Sequence, residues 1–266
     1  EPTVEDLLAA LAQPHAEVRT RVGPHVLSTT ADFSLRPSDG DAPPRSVVDQ
    51  PVVEPQAVHD ALTLRWGTTD PDDWRLSLSQ ANDHERGRDV IVVGPTVHVR
   101  HAHRGWTHYP RDSDLLELWL DDAQRSVHDV IELAAPRLAL TAQTIEGAGL
   151  AGGPAVEITL ALAEATTPTR AAAGPTQAWR EGAEIQAVEG SVRLDAAHGI
   201  WLHADVSVGY ALTGADGRPL AGHVHLQGRV EPGAVEIEAP ADSGPLPSRL
   251  RYDDEQRQLL DGLAAP

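Results

Sequence analysis

The run from Ile200 to Leu212 constrains this chain more than any other segment. Ile200, Leu202, Ala204, Val206, Val208, Tyr210 and Leu212 alternate with Trp201, His203, Asp205, Ser207 and Gly209. A period of two over that distance predicts a β-strand with one apolar and one polar face. At ~3.3 Å per residue it spans about 43 Å. A strand this long belongs to a wide, curved sheet, and its apolar face must be buried.

The next strand can be placed against it. Leu220, Val224, Leu226 and Val230 are its apolar members, all even-numbered like those of the first strand. Opposed residues must therefore sum to an even number. A three-residue loop, Ala215-Asp216-Gly217, satisfies this with Gly217 left-handed. The register then pairs Val208 with Val224, Val206 with Leu226, Ser207 with His225, and His203 with Arg229.

Alternation recurs elsewhere. Ala31, Phe33 and Leu35 alternate with Asp32 and Ser34; Leu62, Leu64 and Trp66 with Thr63 and Arg65; Trp74, Leu76 and Leu78 with Arg75 and Ser77. Val90 to Val93 reads as a buried run, Val97 and Val99 continue past Gly94-Pro95, and Trp106 to Tyr109 reads as a short strand. Further strands are predicted at about 137–145, 155–164, 184–195 and 219–230. Helices are predicted at 3–12, where Val4, Leu7, Leu8 and Leu11 share a face, at 114–134, and at 248–263. Residues 37–57 hold Pro37, Pro43, Pro44, Pro51 and Pro55 and are expected to form a surface loop within one domain spanning 1–266.

Composition removes whole classes of function. The formal net charge is −19, which repels phosphate backbones and disfavours a nucleic-acid partner. Absence of Lys excludes a Schiff-base or phosphate-loop lysine. With no Cys there is no disulfide, thiolate nucleophile or zinc–thiolate site. No apolar run approaches the ~18 residues of a membrane-spanning helix. The chain contains no Met, so a mature or trimmed form is expected, with any signal peptide or lipidated Cys lying upstream of Glu1.

No motif assembles a catalytic centre. Gly147-Ala148-Gly149-Leu150-Ala151-Gly152 matches the dinucleotide glycine pattern, but Gly153-Pro154 and a strand follow where a helix is required, so a hairpin loop is expected. His223 and His225 share a face, as do His101 and His103; with His203 and Asp205 the first pair approaches metal-ligand spacing. Arg229 opposite His203 disfavours a cation there. Asp72-Asp73, Asp121-Asp122 and Asp253-Asp254 fall in turns or on polar helix faces. No serine sits in a Gly-x-Ser-x-Gly elbow. No catalytic residue, metal ligand or cofactor is assigned.

Three stretches carry a family resemblance: the opening amphipathic segment Val4 to Leu11; Trp106-Thr107-His108-Tyr109-Pro110 leading into a helix; and Gly190-Ser191-Val192-Arg193-Leu194-Asp195, the long strand, then Gly217-Arg218-Pro219-Leu220. In this order the chain resembles the periplasmic lipoprotein-carrier superfamily, of the LolA/LolB type and its LppX/LprG-type lipid-binding relatives. The resemblance implies a mainly β (α+β) fold, a large curved antiparallel sheet forming an unclosed half-barrel with its concave face covered by helices. It also implies a non-enzymatic protein of the periplasm or cell envelope that holds a lipid or lipoprotein acyl chain. The expected lining is Leu62, Leu64, Trp66, Trp74, Leu76, Leu78, Trp119, Ile158, Leu160, Leu202, Val206, Val208, Tyr210, Val224 and Leu226. A lipid or acylated lipoprotein, and an envelope protein, are the expected partners of a monomer. The competing expectations are an envelope scaffold with a filled core and a His-based metal-dependent enzyme.

Overall fold

The computed structural model describes residues 2–38, 56–70, 73–83, 87–101, 104–166, 180, 182–214 and 217–246. Two short helices, α1 (Val4–Leu11) and α2 (His15–Val22), lead into β1 (His25–Pro37), which lies in the middle of the sheet. From there the chain steps outward through β2 (Gln56–Trp66), β3 (Arg75–Asn82), β4 (Arg88–Val93), β5 (Thr96–His101) and β6 (Trp106–Pro110). Helices α3 (Ser113–Gln124) and α4 (Ser126–Ala134) carry it to the opposite edge. It returns through β7 (Leu138–Ile145), β8 (Ala155–Leu162), β9 (Glu184–Asp195), β10 (Trp201–Thr213) and β11 (Pro219–Pro232), and β11 pairs with β1. A short strand β12 (Ser243–Pro245) then lies parallel to β6 at the far edge.

The result is mainly β: one open 12-stranded sheet, a half-barrel rather than a closed one, with few helices. Its other neighbouring strands are antiparallel. The β10–β11 register is the expected one, pairing Val208 with Val224, Val206 with Leu226, Ser207 with His225 and His203 with Arg229. Gly217 has φ +79°, as the turn requires; Ala215 and Asp216 lie outside the described residues. Pro37 and Gln56 belong to β1 and β2, while the proline-rich stretch between them, like the segment expected to be a helix at 248–263, lies outside the described residues. No helix among the described residues is long and apolar enough to cross a membrane.

Two expectations are corrected and one element is added. The helix expected over 114–134 is two helices broken at Arg125. Arg125 N–H donates to both Asp121 and Asp122 carbonyls, and Ser126 Oγ donates to the Ala123 carbonyl. Asp121 and Asp122 also place negative charge at the negative end of α3, which favours stopping there.

The second correction concerns Trp201 and Leu202. Trp201 was expected on the polar face and Leu202 among the lining residues. A β-bulge intervenes: Trp201 pairs with Leu194, but His203 pairs with Arg193, so Leu202 is the extra residue. A bulge changes which face the chain presents. Trp201 therefore turns inward, fully buried, and Leu202 is displaced to a half-exposed position. The indole Nε1 donates to the Gln124 carbonyl at 3.3 Å, at the break between α3 and α4. Gly228 makes room for the ring: a Cβ there would lie 3.2 Å from it.

The added element is α2, which the sequence pattern did not reveal. Its N-cap, Pro14, supplies no side-chain acceptor. Asp121 of α3 does so instead, accepting from His15 N–H at 2.8 Å.

Candidate functional site

The registers divide the inner face into layers across β1 to β6. The first is His25–Trp66–Leu76–Val92–Val97–Tyr109, and all six are buried. The second is Leu27–Leu64–Leu78–Val90–Val99, aliphatic and buried from β1 to β5, with the half-buried Thr107 on β6. Strand alternation alone produces these layers. Across the other half, Val206, Val208, Tyr210, Val224, Leu226, Ile158 and Leu160 continue the apolar face, all buried. The Tyr210 ring lies over Gly222, where a Cβ would come within 2.2 Å of it. Trp119 projects from α3 into the same core. Of the fifteen expected lining residues, fourteen thus share one buried core; Leu202 is the exception.

At the end of the sheet nearest α2, polar groups are paired. Arg19 forms two hydrogen bonds with Glu117, at 3.0 and 2.6 Å, and its guanidinium lies 4.9 and 5.1 Å from the Trp66 and Trp74 ring centroids. Trp66 and Trp74 meet edge to face at 5.6 Å, and His15 meets Trp66 similarly at 5.7 Å. His15 Nε2 lies 3.3 Å from His25 Nε2, and His25 Nδ1 is 2.7 Å from the Gly23 carbonyl. A carbonyl only accepts, so His25 carries its proton on Nδ1 and leaves Nε2 bare. His15 Nε2–H then donates to it, and His15 Nδ1 is the bare nitrogen, consistent with its lack of a partner. Burial holds His15 well below the ordinary imidazole range, aided by the His25 and Arg19 charges; burial also lowers His25.

Toward the other end the layers change character. The next one reads Thr29–Leu62–Gln80–Arg88–His101, and beyond it comes Ala31–Asp60–Asn82. Asp60 continues the inward face of Leu62, Leu64 and Trp66; Gln80 that of Leu76 and Leu78; Arg88 that of Val90 and Val92. Asp60 and Arg88 are each only 5% exposed. Arg88 stacks over Trp119 with its guanidinium carbon 4.3 Å from the ring centroid. Gln80 Nε2 donates to Asp60 Oδ2 at 3.4 Å, and Asp60 Oδ1 has no hydrogen-bond partner. Burial pushes the Asp60 carboxyl up to about 6, partly offset by the Gln80 hydrogen bond. These three residues were missed as site candidates. Their signal was present: each is a polar residue in phase with an otherwise apolar alternation.

At the same level, the half of the inner face made by β1, β11, β10 and β9 stays apolar: Ala31–Leu226–Val206, Phe33–Val224–Val208–Val188, Leu35–Gly222–Tyr210–Ile185. Here Phe33, Leu35 and Leu212 are only half-buried, and Leu162 on β8 is 36% exposed.

His223 and His225 serve the outer face, whereas His101 belongs to the inner-face layer of Arg88. His225 Nε2 is 2.8 Å from Asp205 Oδ1, Gln227 donates to Asp205 Oδ2, and His223 Nε2 is 2.8 Å from Ser207 Oγ. The His225 hydrogen bond holds Asp205 below the usual carboxylate range. His59 likewise bonds Asp32 at 2.7 Å and is raised by it. His103 lies outside the described residues. Among the described residues, His128, Asp129 and Glu132 on α4 form the one group of three potential metal ligands. The Arg180 guanidinium already pairs with it, 2.8 Å from Glu132 and 3.9 Å from Asp129. His98 and His108 Nδ1 atoms lie 3.0 and 3.2 Å from Ser243 Oγ, with no carboxylate orienting either ring among the described residues. The glycine-rich run is the β7–β8 connection, where Asp195 Oδ1 accepts from Leu150 N–H, and no helix follows.

No family model matches the chain, and no curated protein matches it.

Proposed function

We propose that this protein binds a lipid or acyl chain non-covalently against the inner face of its sheet, as a carrier or chaperone rather than an enzyme. One observation carries the reading. The apolar half of the inner face continues from the buried Val208 and Val224 to Phe33, Leu35, Leu212 and Leu162, which remain partly open. A contiguous apolar surface at the rim of a curved sheet is a site for an apolar ligand. The pattern-level resemblance to the periplasmic lipoprotein carriers points the same way, and with it a place in the periplasm or cell envelope and an acylated lipoprotein as one form of the ligand.

Native mass spectrometry of the mildly extracted protein, together with titration of a fluorescent C16 acyl probe, tests the reading. Saturable uptake of one probe per chain is expected. Leu212→Glu, at a half-buried position, should weaken uptake about tenfold while the protein stays folded. Absence of both bound lipid and probe uptake overturns the proposal.

A further inference from the structure

An aspartate that is 5% exposed, with one oxygen lacking a partner among the described residues, sits in phase with leucines on the inner face. Such a group costs free energy unless something donates to it. Its only side-chain donor among the described residues is Gln80, at a long 3.4 Å. One layer nearer α2, the inward Arg88 is pinned against Trp119. At ~4.8 Å per strand, Arg88 on β4 lies roughly 10 Å across the sheet from Asp60 on β2. Polar strands β2 to β5 thus adjoin apolar strands β1, β11 and β10 at the same depth.

Resting on the lipid-binding reading, we propose that Asp60, Gln80 and Arg88 form a head-group site for a neutral, hydroxylated amphiphile whose chain lies along Phe33, Leu35 and Leu212. The charges select the class. An anionic head would meet the Asp60 carboxylate in a chain of net charge −19, and a cationic head would meet Arg88. A hydroxyl carries no charge, donates to Asp60 Oδ1 and also accepts from its neighbours. Because burial pushes Asp60 up to about 6, the carboxylate is ionised at pH 7.5 and accepts most strongly there.

The test compares 1-palmitoylglycerol, which has hydroxyl donors, with methyl palmitate, which has none, by tryptophan fluorescence titration at pH 7.5. The expected result is about tenfold tighter binding of the palmitoylglycerol, the size of one charge-assisted hydrogen bond. Asp60→Leu should bring the ratio to about one while methyl palmitate still binds, and Asp60→Asn should leave about threefold. Thermal melting checks both variants, and the wild-type ratio with Asp60→Asn decides the matter where Asp60→Leu does not fold. Equal binding of both ligands by the wild type overturns this inference alone, as does a tenfold ratio that survives in Asp60→Leu. If neither ligand binds, the lipid-binding reading falls and this inference with it.

Discussion

The two ends of the inner face are built from similar residue types and treat them in opposite ways. Near α2, His15, His25, Arg19 and Glu117 are enclosed with Trp66 and Trp74; Arg19 pairs with Glu117 and His25 uses both ring nitrogens, while His15 Nδ1 is bare. Six residues further along the same strands, Asp60 is also buried and keeps an unpaired oxygen, while Phe33 and Leu35 beside it are incompletely covered. The first arrangement pairs its charges within the fold and leaves one neutral ring nitrogen bare. The second leaves a buried carboxylate oxygen without a donor, which carries a larger cost because the group is charged. That contrast, rather than any motif, separates the structural end of this sheet from the candidate binding end.

The contrast can be broken most directly by truncation. Trp66→Ala should cost about 3–5 kcal/mol in urea unfolding, since it removes a fully buried ring that His15, Trp74 and Arg19 all touch. Phe33→Ala, at the half-buried rim, should cost about 1–2 kcal/mol. Equal losses would mean that both ends are equally packed.

Asp60→Asn should do the reverse and stabilise the protein. The folded-state pKa is raised from 3.8 to about 6, so ionisation works against folding. The penalty is absent below pH 3.8, grows as pH rises and is complete above about 6, where it approaches roughly 3 kcal/mol. Asp60→Asn should therefore gain about 1–3 kcal/mol at pH 7.5 and little at pH 4. No gain at neutral pH would show that Asp60 is satisfied after all.

Arg19→Met should cost about 1–3 kcal/mol, because it strands Glu117 beside α2 and removes the cation from both tryptophans. The His15–His25 pair predicts a slope more than a size. Their folded pKa values are depressed, so the unfolded chain takes up protons first and stability falls as pH drops below 6.5. Asp60 acts with the opposite sign below pH 6, so the imidazole slope is cleanest in the Asp60→Asn background, and His15→Phe should flatten it there. The smallest effect is expected from Ser207→Ala on the outer face, within about 0.5 kcal/mol.

Much of this was legible in the residue order. The alternation of Val206, Val208, Val224 and Leu226, with parity and a glycine turn, set the β10–β11 register before any coordinates. Fourteen of the fifteen expected lining residues lie in one core because a period of two assigns faces without knowledge of neighbours. The same logic, applied to polar residues in apolar phase, would have marked Asp60, Gln80 and Arg88.

Other features depended on partners distant in the chain. The bulge at Leu202 shifts the strand by one residue, and nothing local demands it; Trp201 turns inward because Gly228 leaves room for its ring and the Gln124 carbonyl, 77 residues away, takes its N–H. That carbonyl lies at the break between α3 and α4, so the two misread features meet at a single contact. Helix α2 likewise acquires its N-terminal acceptor from Asp121, 106 residues on. Local alternation and turn chemistry determined the strands, their faces and the central register, because those depend on short-range stereochemistry. The bulge, the helix break and the difference between the two ends were decided by tertiary structure, because each turns on whether a distant group is there to satisfy a buried donor or acceptor.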